Sequence, residues 1–151
     1  MQYQWVRESR QVLFDYCKRI APKDFVDSNS AFGRGGSMRN LLVHIANTYE
    51  FWIADQVLKK NVVFTQYDAK GSIGEVISLF DFVDGIMEEF IEALERSGMC
   101  QIDYEVGGKK ASTDPLKLFT HVITHEFHHK GQILTLSRHL GYIPVDTDIM
   151  R

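Results

Sequence analysis

One run of apolar residues restricts this chain more than anything else in it: Ile73, Val76, Ile77, Phe80, Val83, Met87, Phe90, Ile91 and Leu94 recur at three- and four-residue steps. That rhythm lays a continuous stripe along one side of an α-helix and does not fit a strand, whose faces alternate at every residue. Both ends are signed. Ser72-Ile73-Gly74-Glu75 has the form of a capping box, and Gly98 suits a left-handed C-cap. A helix this long with a single apolar stripe has to bury the stripe against other elements.

Three other stretches carry the same signature. Trp5, Val12, Leu13, Tyr16 and Ile20 predict a first helix from Trp5 to Ile20, stopped by Pro22. Leu41, Leu42, Ile45, Tyr49, Trp52, Ile53 and Val57 predict a second helix from about Met38 to Lys59. Leu116, Phe119, Val122, Ile123, Phe127, Ile133, Leu134 and Leu136 predict a last one, opened by Asp114-Pro115 as N-cap and first-turn proline and closed by Gly141. Between them, residues 21–37 read as a polar surface loop containing Asp27, Asn29, Gly33, Gly35 and Gly36, and residues 61–71 as a link. Ile102, Tyr104 and Val106 alternate with polar residues up to Gly107-Gly108, so residues 99–112 form either a short hairpin or a bare loop. The expectation is an all-α protein, a four-helix bundle, in a single domain spanning residues 1–151.

At 151 residues such a chain buries a core without disulfides. Its net charge is -3 and no segment concentrates Lys or Arg, which argues against nucleic acid as a partner. Cys17 and Cys100 form no CxxC pair and no framework, as expected in a reducing cytoplasm. The N-terminus lacks an apolar signal region and no run reaches the length of a membrane span, so the expectation is a soluble, cytoplasmic protein with no membrane association.

The chemistry concentrates near the C-terminus. Four of the six histidines lie between His121 and His129, in the stretch that includes His125-Glu126-Phe127-His128-His129-Lys130-Gly131-Gln132. Residues four apart stand one turn apart on one helix face, so His125 and His129 can aim at one point. At 100° per residue from His121, the apolar residues of this helix centre near roughly 150°; His129 lies about 70° from that centre, His125 about 110°, and His121 and His128 about 150° and 170°. The interior pair is therefore His125 and His129, the way a helix supplies two metal ligands. A third ligand has to come from another helix. His44 is placed for it, at the margin of the second helix's stripe with Thr48 and Phe51. A core histidine bonded to a backbone carbonyl is an equally good reading of His44 from the residues alone.

His125-Glu126-Phe127-His128-His129 is also a literal H-E-x-x-H, the zinc-protease pattern. Gln132 and Thr135 stand where the longer form needs glycine and histidine, and no glutamate follows His129 to act as a distant ligand. Those departures argue against a protease. Glu126 reads as a solvated helix residue, with a general base as the alternative.

A histidine in the second helix, followed near the C-terminus by H-x-x-x-H-H-K-G-Q and then Arg138-His139-Leu140-Gly141, resembles the DinB/YfiT-like family over essentially the whole chain. The resemblance implies an up-down-down-up bundle with a long crossover between the second and third helices. It implies a divalent metal ion (zinc, nickel or iron) on three histidines that map onto His44, His125 and His129, and a homodimer. Some members use low-molecular-weight thiols as cofactors in S-transfer or isomerisation. Lys130 stands where arginine is frequent, so a bidentate contact would be lost. Gly131 is expected to permit close helix packing and Gln132 to bond a metal ligand.

The leading expectation is a metal-dependent enzyme that hydrolyses by metal-activated water or transfers a thiol to a small electrophile. Phe51, Trp52 and Tyr49 are candidates for the mouth of its site, or for the core. The rival is a non-catalytic metal-binding or stress-response protein, and a third possibility is a metal-free bundle. Neither the substrate nor the choice of metal is written in the sequence.

Overall fold

A computed structural model describes residues 2–30 and 36–151. Gly33 and Gly35 lie outside the described residues. The protein is mostly helical: α1 (Gln2–Cys17), α2 (Pro22–Phe25), α3 (Met38–Tyr49) running directly into a π-helical segment (Glu50–Val57), α4 (Ile73–Ser97), a hairpin of β1 (Ile102–Val106) and β2 (Lys109–Thr113), and α5 (Pro115–His139). Among the described residues, no helix is long and apolar enough to cross a membrane.

The helix ends follow the side chains that satisfy them. Ser72 accepts from the Glu75 amide, while the Glu75 carboxylate accepts from the Ser72 hydroxyl and the Gly71 amide, holding that carboxyl below its ordinary pKa range. Gly98 sits at φ 60°, a left-handed position that glycine adopts without a Cβ penalty. Ser37 caps α3 by accepting from Asn40, and Asp114 caps α5 by accepting from Lys117 with Pro115 next in line.

Packing brings α3 against both α4 and α5, with α1 against α4. Leu13, Leu41, Leu42, Ile45, Tyr49, Val83, Met87, Phe90, Val122 and Ile133 are completely or almost completely buried and come from all four long helical segments. β1 and β2 pair antiparallel from Ile102 opposite Thr113 to Val106 opposite Lys109. Gly107 and Gly108, both at positive φ, make the two-residue turn. The hairpin alternative is thus the one realised.

Four expectations need correction. The first helix begins at Gln2 and ends at Cys17, and Pro22 starts a helix rather than stopping one. Trp5 is 45% exposed; Tyr3, Val6, Ser9 and Arg10 take the inward positions. The second helix is α-helical only to Tyr49. Beyond it the turns widen, with the Leu58 amide donating to the Ile53 carbonyl five residues back. Finally, residues 21–37 are not all loop, because Pro22–Phe25 is helical and buries Phe25.

Candidate metal centre

Each histidine is delivered by the element that carries it. α5 places His125 and His129 one turn apart, and their Nε2 atoms face each other at 3.1 Å. α3 packs against α5 and brings the His44 ring to 4.9 Å from His125 and 4.7 Å from His129, centroid to centroid. One ligand atom from each residue lies within 4.8 Å of the others, so the three can hold a metal ion. His121 and His128 are exposed, as the wheel indicates.

The donor chemistry suits a cation. Two imidazole nitrogens bound tetrahedrally to zinc at 2.0–2.1 Å would stand about 3.3 Å apart, close to the separation found here. His129 Nδ1 lies 2.7 Å from Gln132 Oε1. That oxygen only accepts, so Nδ1 carries the hydrogen and Nε2 presents its lone pair to the shared point. The Gln132 amide nitrogen is turned the other way, 3.2 Å from His128 Nε2. Burial pushes His125 down to about 3, helped by the neighbouring His129, His44, His121 and His128. It is neutral at any ordinary pH, the form a metal requires. Its Nδ1 is buried without a hydrogen-bond partner among the described residues.

Behind the histidines lies a set of buried charges. Glu126 is completely buried, so the solvated reading of this residue is wrong. Its carboxylate accepts from Arg10 Nε (3.1 Å) and Nη2 (2.9 Å) and from the Tyr49 hydroxyl (2.7 Å), and Lys130 Nζ stands 3.1 Å away. Burial alone would push the Glu126 carboxyl up; Arg10, then Lys130, outweigh it and hold the group ionised below its usual range. Arg10 also donates to Asp84 at 2.6 Å, and Lys130 donates to Ser9 Oγ at 2.8 Å. Ser9 passes its own hydrogen to the Thr147 carbonyl, tying the C-terminal segment to α1. Lys130 therefore works as a point charge on Glu126 and a donor to Ser9, without the bidentate contact an arginine could make. The same inward turn of residues 126 and 130 sets the rotation of α5 that aims His125 and His129 at His44.

This network was missed in the sequence although the signal was present. On the wheel used above, Glu126 falls about 10° and Lys130 about 30° from the apolar centre. An acid and a base four apart on an apolar stripe mark a buried ion pair. Arg10, opposite them on α1, has no comparable sequence sign. Gly131, by contrast, is exposed with open space beside it, so it does not serve close packing.

A recess of about 360 Å³ opens beside His44, walled by that residue with Asn47, Thr48, Phe51, Trp52, Phe64 and Tyr67. A larger recess, about 640 Å³, lies between the π-helical segment and the hairpin, with no histidine in its wall. Of the two, only the smaller has one of the three histidines, His44, in its wall. Of the aromatic candidates, Phe51 and Trp52 line it, whereas Tyr49 is core and bonds Glu126.

No curated protein matches the chain. The model of the DinB family matches residues 1–151, its whole length.

Proposed function

Because the chain belongs to the DinB family, we propose that it is a metal-dependent enzyme whose His44, His125 and His129 hold one divalent ion, zinc, nickel or iron. One observation carries this reading. The three histidines converge from two helices, and no fourth His, Cys, Asp or Glu joins the cluster among the described residues. A three-ligand shell leaves a position for water or substrate, as catalytic sites do, whereas structural sites close with four. That is what favours an enzyme over a purely structural metal protein.

When bound, such an ion supplies Lewis acidity, lowering the pKa of a water for hydrolysis or of a low-molecular-weight thiol for transfer to a small electrophile. The chain's own residues do the rest. Gln132 fixes the His129 ring and its tautomer. Glu126, engaged by Arg10, Tyr49 and Lys130, has the surroundings of a positioning group rather than of a general base. Part-exposed Phe51 and Trp52 narrow the approach and keep bulk water off one side.

The reading extends to an up-down-down-up bundle, with residues 58–72 as the crossover between the second and third long helical segments. That connection is long enough to let the two run parallel. It also includes a single domain, a homodimer and a cytoplasmic location, each resting on the family and on cysteine usage.

The test is an activity screen on protein loaded with zinc, nickel or iron, using small esters alone and small electrophiles with added thiols, beside the His125→Ala variant. Turnover that requires the metal and vanishes in the variant supports the proposal. Full metal occupancy with no turnover on either substrate class would favour the non-catalytic role.

A further inference from the structure

The recess above the histidines has an unusual wall. Phe51 meets Trp52 edge to face at 5.1 Å and lies tilted to Phe64 at 6.4 Å, while Tyr67 stands edge-on to the His44 ring at 6.4 Å. Rings that only filled a core would be buried like Tyr49. These four stay part-exposed, Phe64 at 40%, and their uncovered surface borders the cavity.

Two local devices build this wall. First, the helix widens after Tyr49, and a wider turn rotates each residue by less than the α-helical 100°. Phe51 and Trp52, within this segment, flank the face that carries His44 and Thr48. Second, the link after the π-helical segment is clamped by Asn47. Its Nδ2 donates to the Thr65 carbonyl at 2.8 Å, and its Oδ1 accepts from the Thr65 amide at 3.1 Å. That paired amide contact imitates a strand pairing and holds Phe64 and Tyr67 on either side of Thr65 over the recess. The Thr48 hydroxyl is turned to the His44 carbonyl, leaving its methyl group to the cavity.

The geometry points to a ligand class: a small molecule with one aromatic ring and a short polar substituent, the ring held among Phe51, Trp52, Phe64 and Tyr67 and the substituent directed at His44. A cavity of about 150 Å³ is enough for a benzene molecule, so about 360 Å³ takes one ring with a short arm and not a large cofactor. Offset and edge-to-face contacts reward a planar π-system beyond its area. Asn47 is the positioning residue, acting through the Thr65 backbone without touching the ligand. The assignment rests on the three-histidine reading for the direction of the substituent, but the ring site stands on its own contacts.

The experiment uses full-length Trp5→Phe protein labelled with nitrogen-15, in which Trp52 gives the one indole N–H resonance. Phenol is titrated against metal-free and zinc-loaded samples, with cyclohexanol as the saturated ring of similar size. The expected result is a saturable Trp52 shift with phenol in both samples, a weaker one with cyclohexanol, and tighter phenol binding once zinc is loaded. Phe64→Ala and Asn47→Ala should each weaken phenol binding about fivefold, equivalent to about 1 kcal/mol. His121→Ala, at a residue that packs on Trp52 but is not part of the recess wall, should leave it unchanged. Phe64 is an exposed loop residue, so its removal is a local change, and circular dichroism on the same samples checks the fold. Equal binding of phenol and cyclohexanol, no saturable shift, or an effect of His121→Ala larger than that of Phe64→Ala overturns the proposal. Phenol binding without any zinc uptake would remove the metal reading and leave the ring site standing; zinc uptake without phenol binding would do the reverse.

Discussion

Replacing Glu126 with glutamine removes one charge from a completely buried ionic group while keeping its shape. In the native arrangement that carboxylate takes two bonds from Arg10, one from Tyr49 and a charge contact from Lys130. Both cations are almost completely buried, Arg10 at 2% and Lys130 at 1% exposure. After Glu126→Gln, Arg10 keeps part-exposed Asp84 and the Tyr3 hydroxyl, and Lys130 keeps the Ser9 hydroxyl and the face of the Phe127 ring but no carboxylate within 4 Å among the described residues. The new amide also points donors at donors. Breaking a buried pair by removing one partner costs about 3–5 kcal/mol. For a chain of this length that is a fall in Tm of roughly 6–20 °C, read by calorimetry or circular dichroism. Replacing all three charges together (Arg10→Met, Glu126→Leu, Lys130→Met) should lose less than the single change, since no charge is then stranded. A loss below about 1 kcal/mol in Glu126→Gln, with metal binding intact, would refute the reasoning. Glu126 would then be free to serve as a base.

Two further predictions concern titration. Burial pushes the Glu50 carboxyl up to about 7, so the folded protein binds a proton that the unfolded chain releases near 4.5. Stability should fall as pH rises from about 4.5 to 7 and then level off, by about 1–3 kcal/mol, and Glu50→Gln should abolish that fall in urea titrations at pH 5 and pH 8. An unchanged slope would contradict the assignment. Cys17 is buried, its thiol pushed up to about 12 by burial, while Cys100 is exposed. Mass spectrometry after brief treatment with a thiol reagent should find one adduct, on Cys100, in the native protein and two after denaturation; rapid native labelling of Cys17 would contradict its placement.

What could be read from the sequence was whatever local rules decide. Ser72, Glu75, Gly98, Asp114 and Pro115 announce helix ends because caps are satisfied within a few residues. His125 and His129 declare themselves because a turn of helix fixes their separation, and periodicity placed His44 near the bundle interior. The π-helical turns after Tyr49 left no trace in the apolar pattern, since Ile53 and Ala54 are buried in either geometry. Arg10 shows why long-range pairing escapes such reading: it lies 116 residues from Glu126, and nothing near it marks it as buried. Trp5 errs the other way, since periodicity ranks large apolar side chains inward and here Tyr3 and Val6 take the interior. The aromatic recess depends on an amide clamp between Asn47 and Thr65 that no spacing rule foresees.

Metal content tests the central claim most directly. Protein purified without an affinity tag should carry about one divalent ion per chain by elemental analysis, and His44→Ala should lose it or bind it far more weakly, because the ion would then have two imidazoles. No metal in either protein, even after incubation with zinc or nickel, would contradict the account. The histidines would then be a metal-free cluster beside an aromatic recess, and membership of the DinB family would describe the chain's ancestry without its chemistry.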